Sequence, residues 1–390
     1  AMEVARMLDH QLTTADLSSA ARDVADVAGQ YAAETERARQ LHPEVVYELR
    51  AAGFARHFVP ISCGGNASTF IELTRAISTV GEGCTATAWC ASLLAHVARM
   101  AAHLPAEGYR EIWAEGPDTL IVGSLTPLGK AEPVAGGWRL SGQWAFISGV
   151  DFSDWALVGA MVPTGDQEQA RIFAIPRPAY HIDQTWFNVG MAGTGSNTLI
   201  VEDVFVPAAR AMSRDDLFAG RAVDSTAACH AVPMQATTLM FATPALGGAR
   251  GALQSWSTYI TQKMRNAAAR PAMALPGMPT LSRTPHDVTL ARCAGEIDAA
   301  QLLLERASIT ADKSAAITPL ETMRNWRDCA LATDMMVAVV NRLFRAIGTT
   351  GQSAVNPVQR FWRDVNSLAG HMGLQFESAA SAYGGEVIKI

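Results

Sequence analysis

The chain of 390 residues is 49% hydrophobic and only 17% charged, enough apolar side chain for a large core divided over two or three domains and for further burial in an oligomer. Its net charge of −6, with the basic residues scattered, offers no stripe for tracking phosphates and argues against a nucleic-acid partner. The six cysteines, at 63, 84, 90, 229, 293 and 329, form no C-x-x-C pair and have no histidine at metal-ligand spacing, so they read as buried thiols of a reducing cytoplasm, with neither a metal site nor a disulfide framework.

No secretory leader pattern opens the chain, and the leading "AM" reads as an expression artefact. Helical spacing of apolar residues runs through "ADLSSAARDVADVAGQYAAETERARQ" and "HPEVVYELRAAG", where Pro43 stands near a helix start and Gly53 at its end. Two further helical patterns fill 68–103. The run 85–103 is the most membrane-like, but His96, Arg99 and His103 interrupt it, so a core helix is expected and no membrane span.

From about 119 the period changes to short β-branched and aromatic runs, "TLIVGSL", "GWRLSGQWAFISG", "DWALVGAMV", "ARIFAIP" and "TLIVEDVFVP", separated by turn residues. Strands with no helices between them predict an antiparallel sandwich or barrel. After about 215 helical spacing returns at 234–268, 285–314, 319–347 and 356–381. The proline-rich connector 270–285 is either a surface linker or a lid or subunit contact. The predicted organisation is therefore α+β: helices over 1–115, a β domain over 116–214 and a helical bundle over 215–390.

Several short stretches hold candidate chemistry. Alternation from Trp138 puts Trp144, Phe146 and Ser148 on one strand face, which either packs on a core or backs a flat heterocycle. Ser124 and Thr126, in "GSLTP", either cap a turn or touch a ligand. "GMAGTGS" is rich in small residues, but it is not G-x-G-x-x-G and lacks the strand and helix of a dinucleotide fold. In "RFWRDVNSLAGH" two helical turns separate Asp364 from His371, which would set them on one face, as an ion-paired helix with a packed histidine or as part of a site.

Taken in order, "HPEVVYELRAAGF", "VPISCGG", "GSLTP", "GWRLSGQWAFISG", "GMAGTGSNTLIVEDVFVP", "GGARGAL" and "QRFWRDVNSLAGH" resemble the two-component flavin-dependent monooxygenases (group D hydroxylases) built on the acyl-CoA dehydrogenase fold. The resemblance spans nearly the whole chain and implies an N-terminal helical domain, a central antiparallel β-barrel or sandwich and a C-terminal four-helix bundle. It implies hydroxylation of an indole- or phenol-type aromatic substrate through a flavin C4a-hydroperoxide, with reduced FAD or reduced FMN supplied by a separate flavin reductase and O2 as co-substrate. It also implies a cytoplasmic homotetramer. An acyl-CoA dehydrogenase, an N- or S-oxygenase and an idle binding protein on the same scaffold are the alternatives. A dehydrogenase needs a carboxylate to remove the proton beside the thioester carbonyl; residues 365–376 contain no Asp or Glu, and His371 stands there instead.

By the same resemblance His371, Ser148 and Asp364 are the catalytic candidates, with His371 donating to the activated oxygen or deprotonating substrate and Ser148 near flavin N5. Ser124, Thr126, Trp144, Phe146, Ser148 and Arg250 would bind the flavin, and Gly348 and Thr349 its phosphate or adenosine part, often from a neighbouring subunit. His96 and His371 would face the substrate. Where these enzymes commonly carry Arg in the "GMAGTGS" segment, this chain has Ala192.

Overall fold

The computed structural model describes residues 17–269 and 282–389, so the leading "AM" and residues 270–281 of the connector 270–285 lie outside the described residues. Helices α1 (Leu17–Gln30), α2 (Ala32–Ala38), α3 (Pro43–Ala52), α4 (Phe70–Gly83), α5 (Thr85–Ala101) and α6 (Ala106–Ile112) form the front of the molecule. The boundaries of α3 follow the local chemistry: Pro43 stands in the first turn, His42 Nδ1 accepts the Glu44 N–H, and Gly53 closes the helix at φ 90°. In α5 every side chain but Leu93 is buried, and among the described residues no helix is long and apolar enough to cross a membrane.

Strands β1 (Ile121–Val134), β2 (Gly137–Ile147), β3 (Trp155–Thr164), β4 (Gln167–Pro176), β5 (His181–Asp183), β6 (Asn197–Pro207) and β7 (Ala211–Ser213) form one sheet in the order β5-β6-β2-β1-β3-β4-β7. The antiparallel expectation fails at one pair, because β1 and β3 run parallel. The hairpin returns β2 to the end where β1 began, and the short connector 148–154 delivers β3 there on the other side of β1, where it can only run alongside.

The even alternation expected along β2 also fails. Trp144 pairs with Leu199 and Ile147 with Asn197, so three steps along β2 match two along β6, and Phe146 takes up the extra residue at φ 63°. The bulge puts Trp144 and Ile147 into the sheet core and turns Phe146 outward.

The remaining helices are α7 (Arg214–Phe218), α8 (Leu239–Ala268), α9 (Thr284–Ala311), α10 (Pro319–Ala346), α11 (Gly348–Gly351), α12 (Pro357–Leu368) and α13 (Phe376–Val387). The pattern at 356–381, expected as one helix, breaks into α12 and α13 around a 3-10 turn at Met372–Leu374. Helices α4 and α8 cross at Gly81 and Gly247, where a Cβ on either would stand 2.6 Å from the other's Cα. An apolar cluster that includes Val97, Met100, Leu157, Met212 and Met240 joins α5 and α8 to the sheet.

Candidate active site

His371 is not on the face of a helix. Helix α12 stops at Leu368, and His371 has extended backbone (ψ 135°) as the cap of the following 3-10 turn, its Nδ1 accepting the Gly373 N–H at 3.1 Å. With Nδ1 filled as an acceptor, the ring proton sits on Nε2. The ring stacks on Phe241 (4.0 Å between centres, 28°) and meets Trp89 edge-on at 5.6 Å. Burial among these rings lowers His371 to about 4, so at neutral pH it is an uncharged N–H donor. Trp326 Nε1 donates to Gly373 O at 2.8 Å and Gln375 Nε2 to His371 O at 2.9 Å, which fixes the turn.

Trp89 also orients Ser148. Its Nε1–H donates to Ser148 Oγ at 2.9 Å, Ser148 and Ser196 hydroxyls are 2.8 Å apart, Ser196 and Thr194 hydroxyls 2.6 Å apart, and Thr194 Oγ1 donates to Met191 O at 2.9 Å. An indole N–H only donates and a carbonyl only accepts, so each hydroxyl proton in the row points from Trp89 toward Met191. Ser148 thus spends its own proton on Ser196 and keeps a lone pair to accept a further donor.

The loop that ends this row is tied down by α12. Met191 N–H donates to Asp364 Oδ1 at 2.7 Å, and Arg363 Nη1 donates to Val189 O at 2.7 Å while pairing with Glu36 at 2.9 Å. Asp364, 3% exposed, has no hydrogen bond to His371; the expected shared helix face is lost, and the carboxylate anchors the Met191 loop instead. Burial raises Asp364 to about 7, with the Met191 N–H, Arg363 and Arg360 opposing the rise.

The other predicted residues divide. Phe146 is 73% exposed, edge-on to Trp186 at 6.2 Å, and Ser124 (half-buried) and Thr126 (exposed) have hydroxyls free of hydrogen-bond partners among the described residues. Trp144 is a correction: it is fully buried, its Nε1 donates to Gly159 O at 2.8 Å, and its ring fills the space that Gly129 and Gly142 leave open. His96 is a second: it is sealed in the helical core against Phe58 and Phe70, and burial holds it well below the ordinary histidine range.

Arg250 is a third correction. It lies about two and a half turns beyond Phe241 on α8, binds Ser78 Oγ at 3.2 Å and Gln301, and lines a separate cavity of about 220 Å³ with Arg75 and Glu305. Gly348, at φ 80°, and Thr349 stand at the far end of α10 and do not join the cleft within one chain.

An outward-facing aromatic ring, two unpartnered hydroxyls, an acceptor at Ser148 and a neutral donor at His371 fit a flat heterocycle with an N–H edge, as a reduced flavin has. Trp89 lies hidden in an apolar run that signals no such role, while Thr194 and Ser196 stand in the polar "GTGS".

The family described as "Acyl-CoA dehydrogenase, C-terminal domain" matches residues 239–376. The FADH(2)-dependent resorcinol hydroxylase oxygenase component of Rhizobium sp. (strain MTP-10005) is 30% identical over 93% of this chain and 91% of its own. The flavin-dependent monooxygenase oxygenase subunit HsaA of Mycobacterium tuberculosis (strain ATCC 25618 / H37Rv) is 33% identical, over 90% of this chain and 89% of its own. The crystal structure of 3-HSA hydroxylase from Rhodococcus sp. RHA1 superposes with a TM-score of 0.88 at 27% identity, covering 97% of this chain and 98% of that one. The chain therefore belongs to the flavin-dependent monooxygenases built on the acyl-CoA dehydrogenase fold, as an oxygenase component that uses reduced flavin and O2 and depends on a reductase to supply the flavin.

Proposed function

We propose that the substrate is a phenol- or indole-type ring and that His371 and Ser148 carry the site's chemistry. The observation that carries this reading is the fixed protonation of the pair: His371 presents Nε2–H and Ser148 presents a lone pair, both set by Trp89 and Gly373. The bound reduced flavin supplies the activation of O2. With flavin bound, Ser148 would accept the ring N–H, Phe146 would back the ring, and Ser124 and Thr126 would hold its edge or ribityl chain. His371 would hold its Nε2–H as a donor toward the activated oxygen; a role in deprotonating substrate is disfavoured, because Nδ1 is filled and Nε2 already holds the proton. Leu93, Val97, Leu125 and Met240 give the neighbouring wall an apolar character suited to an aromatic ring that lacks a phosphate or CoA anchor.

The name of the Rhizobium relative supports reduced FAD over reduced FMN and a phenolic ring over other substrates. Asp364 acts through the Met191 loop. The exposed Leu302, Ile309 and Val355 support assembly of a homotetramer, expected in the cytoplasm, in which Gly348 and Thr349 meet the distal part of a neighbouring subunit's flavin.

The test is anaerobic binding of reduced FAD and reduced FMN, then oxygen in the presence of a panel of phenols and indoles, with acyl-CoA thioesters mixed separately with the oxidised holoprotein. Tighter binding of reduced FAD and a hydroxylated phenol or indole are expected. Bleaching of the flavin by a thioester would point to dehydrogenation instead, and oxidation of none of the panel would remove the substrate assignment.

A further inference from the structure

Arg99 and His96 stand one turn apart on α5 and converge on one aromatic ring, with the Arg99 guanidinium 5.5 Å and the His96 ring 5.8 Å from the centre of Phe70. Both residues are fully buried. Among the described residues Arg99 reaches only Thr237 Oγ1, at 3.3 Å; its Nε and Nη1, and both ring nitrogens of His96, meet no hydrogen-bond partner. A guanidinium carries five N–H donors and a neutral imidazole one more, so several buried donors converge here unmet. Burial pulls Arg99 down to about 10, which leaves it charged at neutral pH.

Among the described residues no carboxylate pairs with Arg99 or His96. His57 Nε2–H donates to Thr69 O at 2.8 Å, and His103 Nδ1–H to Arg99 O at 3.1 Å. His230 Nε2–H donates to Phe58 O at 2.6 Å while its Nδ1 accepts the Ser225 hydroxyl, also at 2.6 Å. These bonds are the pattern of neutral rings, and burial pushes the Cys229 thiol up to about 11, so it too is uncharged. The Asp312 carboxylate is taken by the N–H groups of Phe70 and Ile71, at 2.7 and 3.1 Å, where it caps α4. A buried cation is tolerated when an opposite charge meets it, and the described residues pair none with Arg99.

We propose that Arg99 and His96 form an internal site for one small monovalent anion of the halide class, bound by Arg99 Nε–H and Nη1–H with the His96 N–H as a further donor. Phe58 and Phe70, packed on His96 at 5.3 and 5.8 Å, close the site to larger oxyanions. The anion neutralises the α5 charge and ties α5 to Phe70 at the start of α4, away from the cleft that Trp89 lines.

The test uses the full chain. Thermal unfolding is followed in sodium bromide and in sodium gluconate at equal ionic strength, and crystals grown in bromide are examined for anomalous scattering. A melting temperature that rises and saturates with bromide but not gluconate, with an anomalous peak at the Arg99 guanidinium, is the expected result. His96→Phe should weaken the bromide dependence about tenfold, as loss of one hydrogen bond to a charged group does, and Arg99→Met should abolish it. Should Arg99→Met fail to fold, the wild-type titration and diffraction decide. Identical melting in the two salts with no bromide beside Arg99, or bromide bound only elsewhere, overturns the proposal.

Discussion

At His371 three neighbours set one proton: Gly373 fills Nδ1, and Phe241 and Trp89 exclude the water that would stabilise a charged ring. His371→Ala is therefore expected to bind reduced flavin nearly as well as the wild type while hydroxylated product falls about tenfold or more, the scale on which one preorganised donor acts; unchanged product yield removes His371 from the chemistry. Because the ring titrates near 4, that yield should not follow a histidine titration between about pH 6 and 8. Trp89→Phe keeps the ring contact but removes the N–H that directs the hydroxyl row. Ser148 is then free to turn its proton into the cleft, and flavin reoxidation without product, read as H2O2, should rise even though no residue touching substrate has changed. Neither Gly373 nor Trp89 announces these roles in the sequence, because both act through contacts made by the fold.

At the scale of elements, the helices were legible wherever local signals agreed, as at α3 with Pro43 and Gly53. Two breaks were not. The bulge at Phe146 puts a bulky residue at φ 63°, a conformation that residue type does not signal, so the alternation that grouped Trp144 with Phe146 and Ser148 was wrong by one residue. The end of α12 was marked only by Gly370 and Gly373, and the two-turn spacing of Asp364 and His371 held no geometric meaning once the helix stopped at Leu368. What Asp364 does instead is testable. Its carboxyl is raised to about 7 by burial, so the folded chain keeps a proton that the unfolded chain releases near pH 4. Stability is then lost as pH rises from about 4 to 7, by up to roughly 4 kcal/mol. Asp364→Asn, whose amide oxygen can still accept the Met191 N–H, should raise the melting temperature at pH 8 and change it little at pH 4; a lower melting temperature at pH 8 would show that the ionised carboxylate is the stabilising form.

For the whole molecule, the order of helices, strands and helices was readable from the change of period, whereas the parallel β1–β3 pair was not, since it depends on which side of β1 the connector 148–154 passes. The buried histidines give the chain its own acid limit. Burial lowers His103 to about 3 and His230 to about 4, so the folded state excludes protons that the unfolded state binds below about pH 6.5. Stability should fall as pH drops from 6.5 toward 4, by on the order of 3 kcal/mol for each fully neutral-buried ring, and an acid midpoint below about pH 3 would contradict that burial. The oxygenase assignment itself is tested most directly by one single-turnover experiment: anaerobically reduced FAD is bound to the chain, mixed with oxygen and a dihydroxybenzene, and the product and H2O2 are counted. Hydroxylated product approaching one per flavin, with little H2O2, is the expected result. Complete conversion of the flavin's electrons to H2O2, with and without every phenol and indole tried, would contradict it.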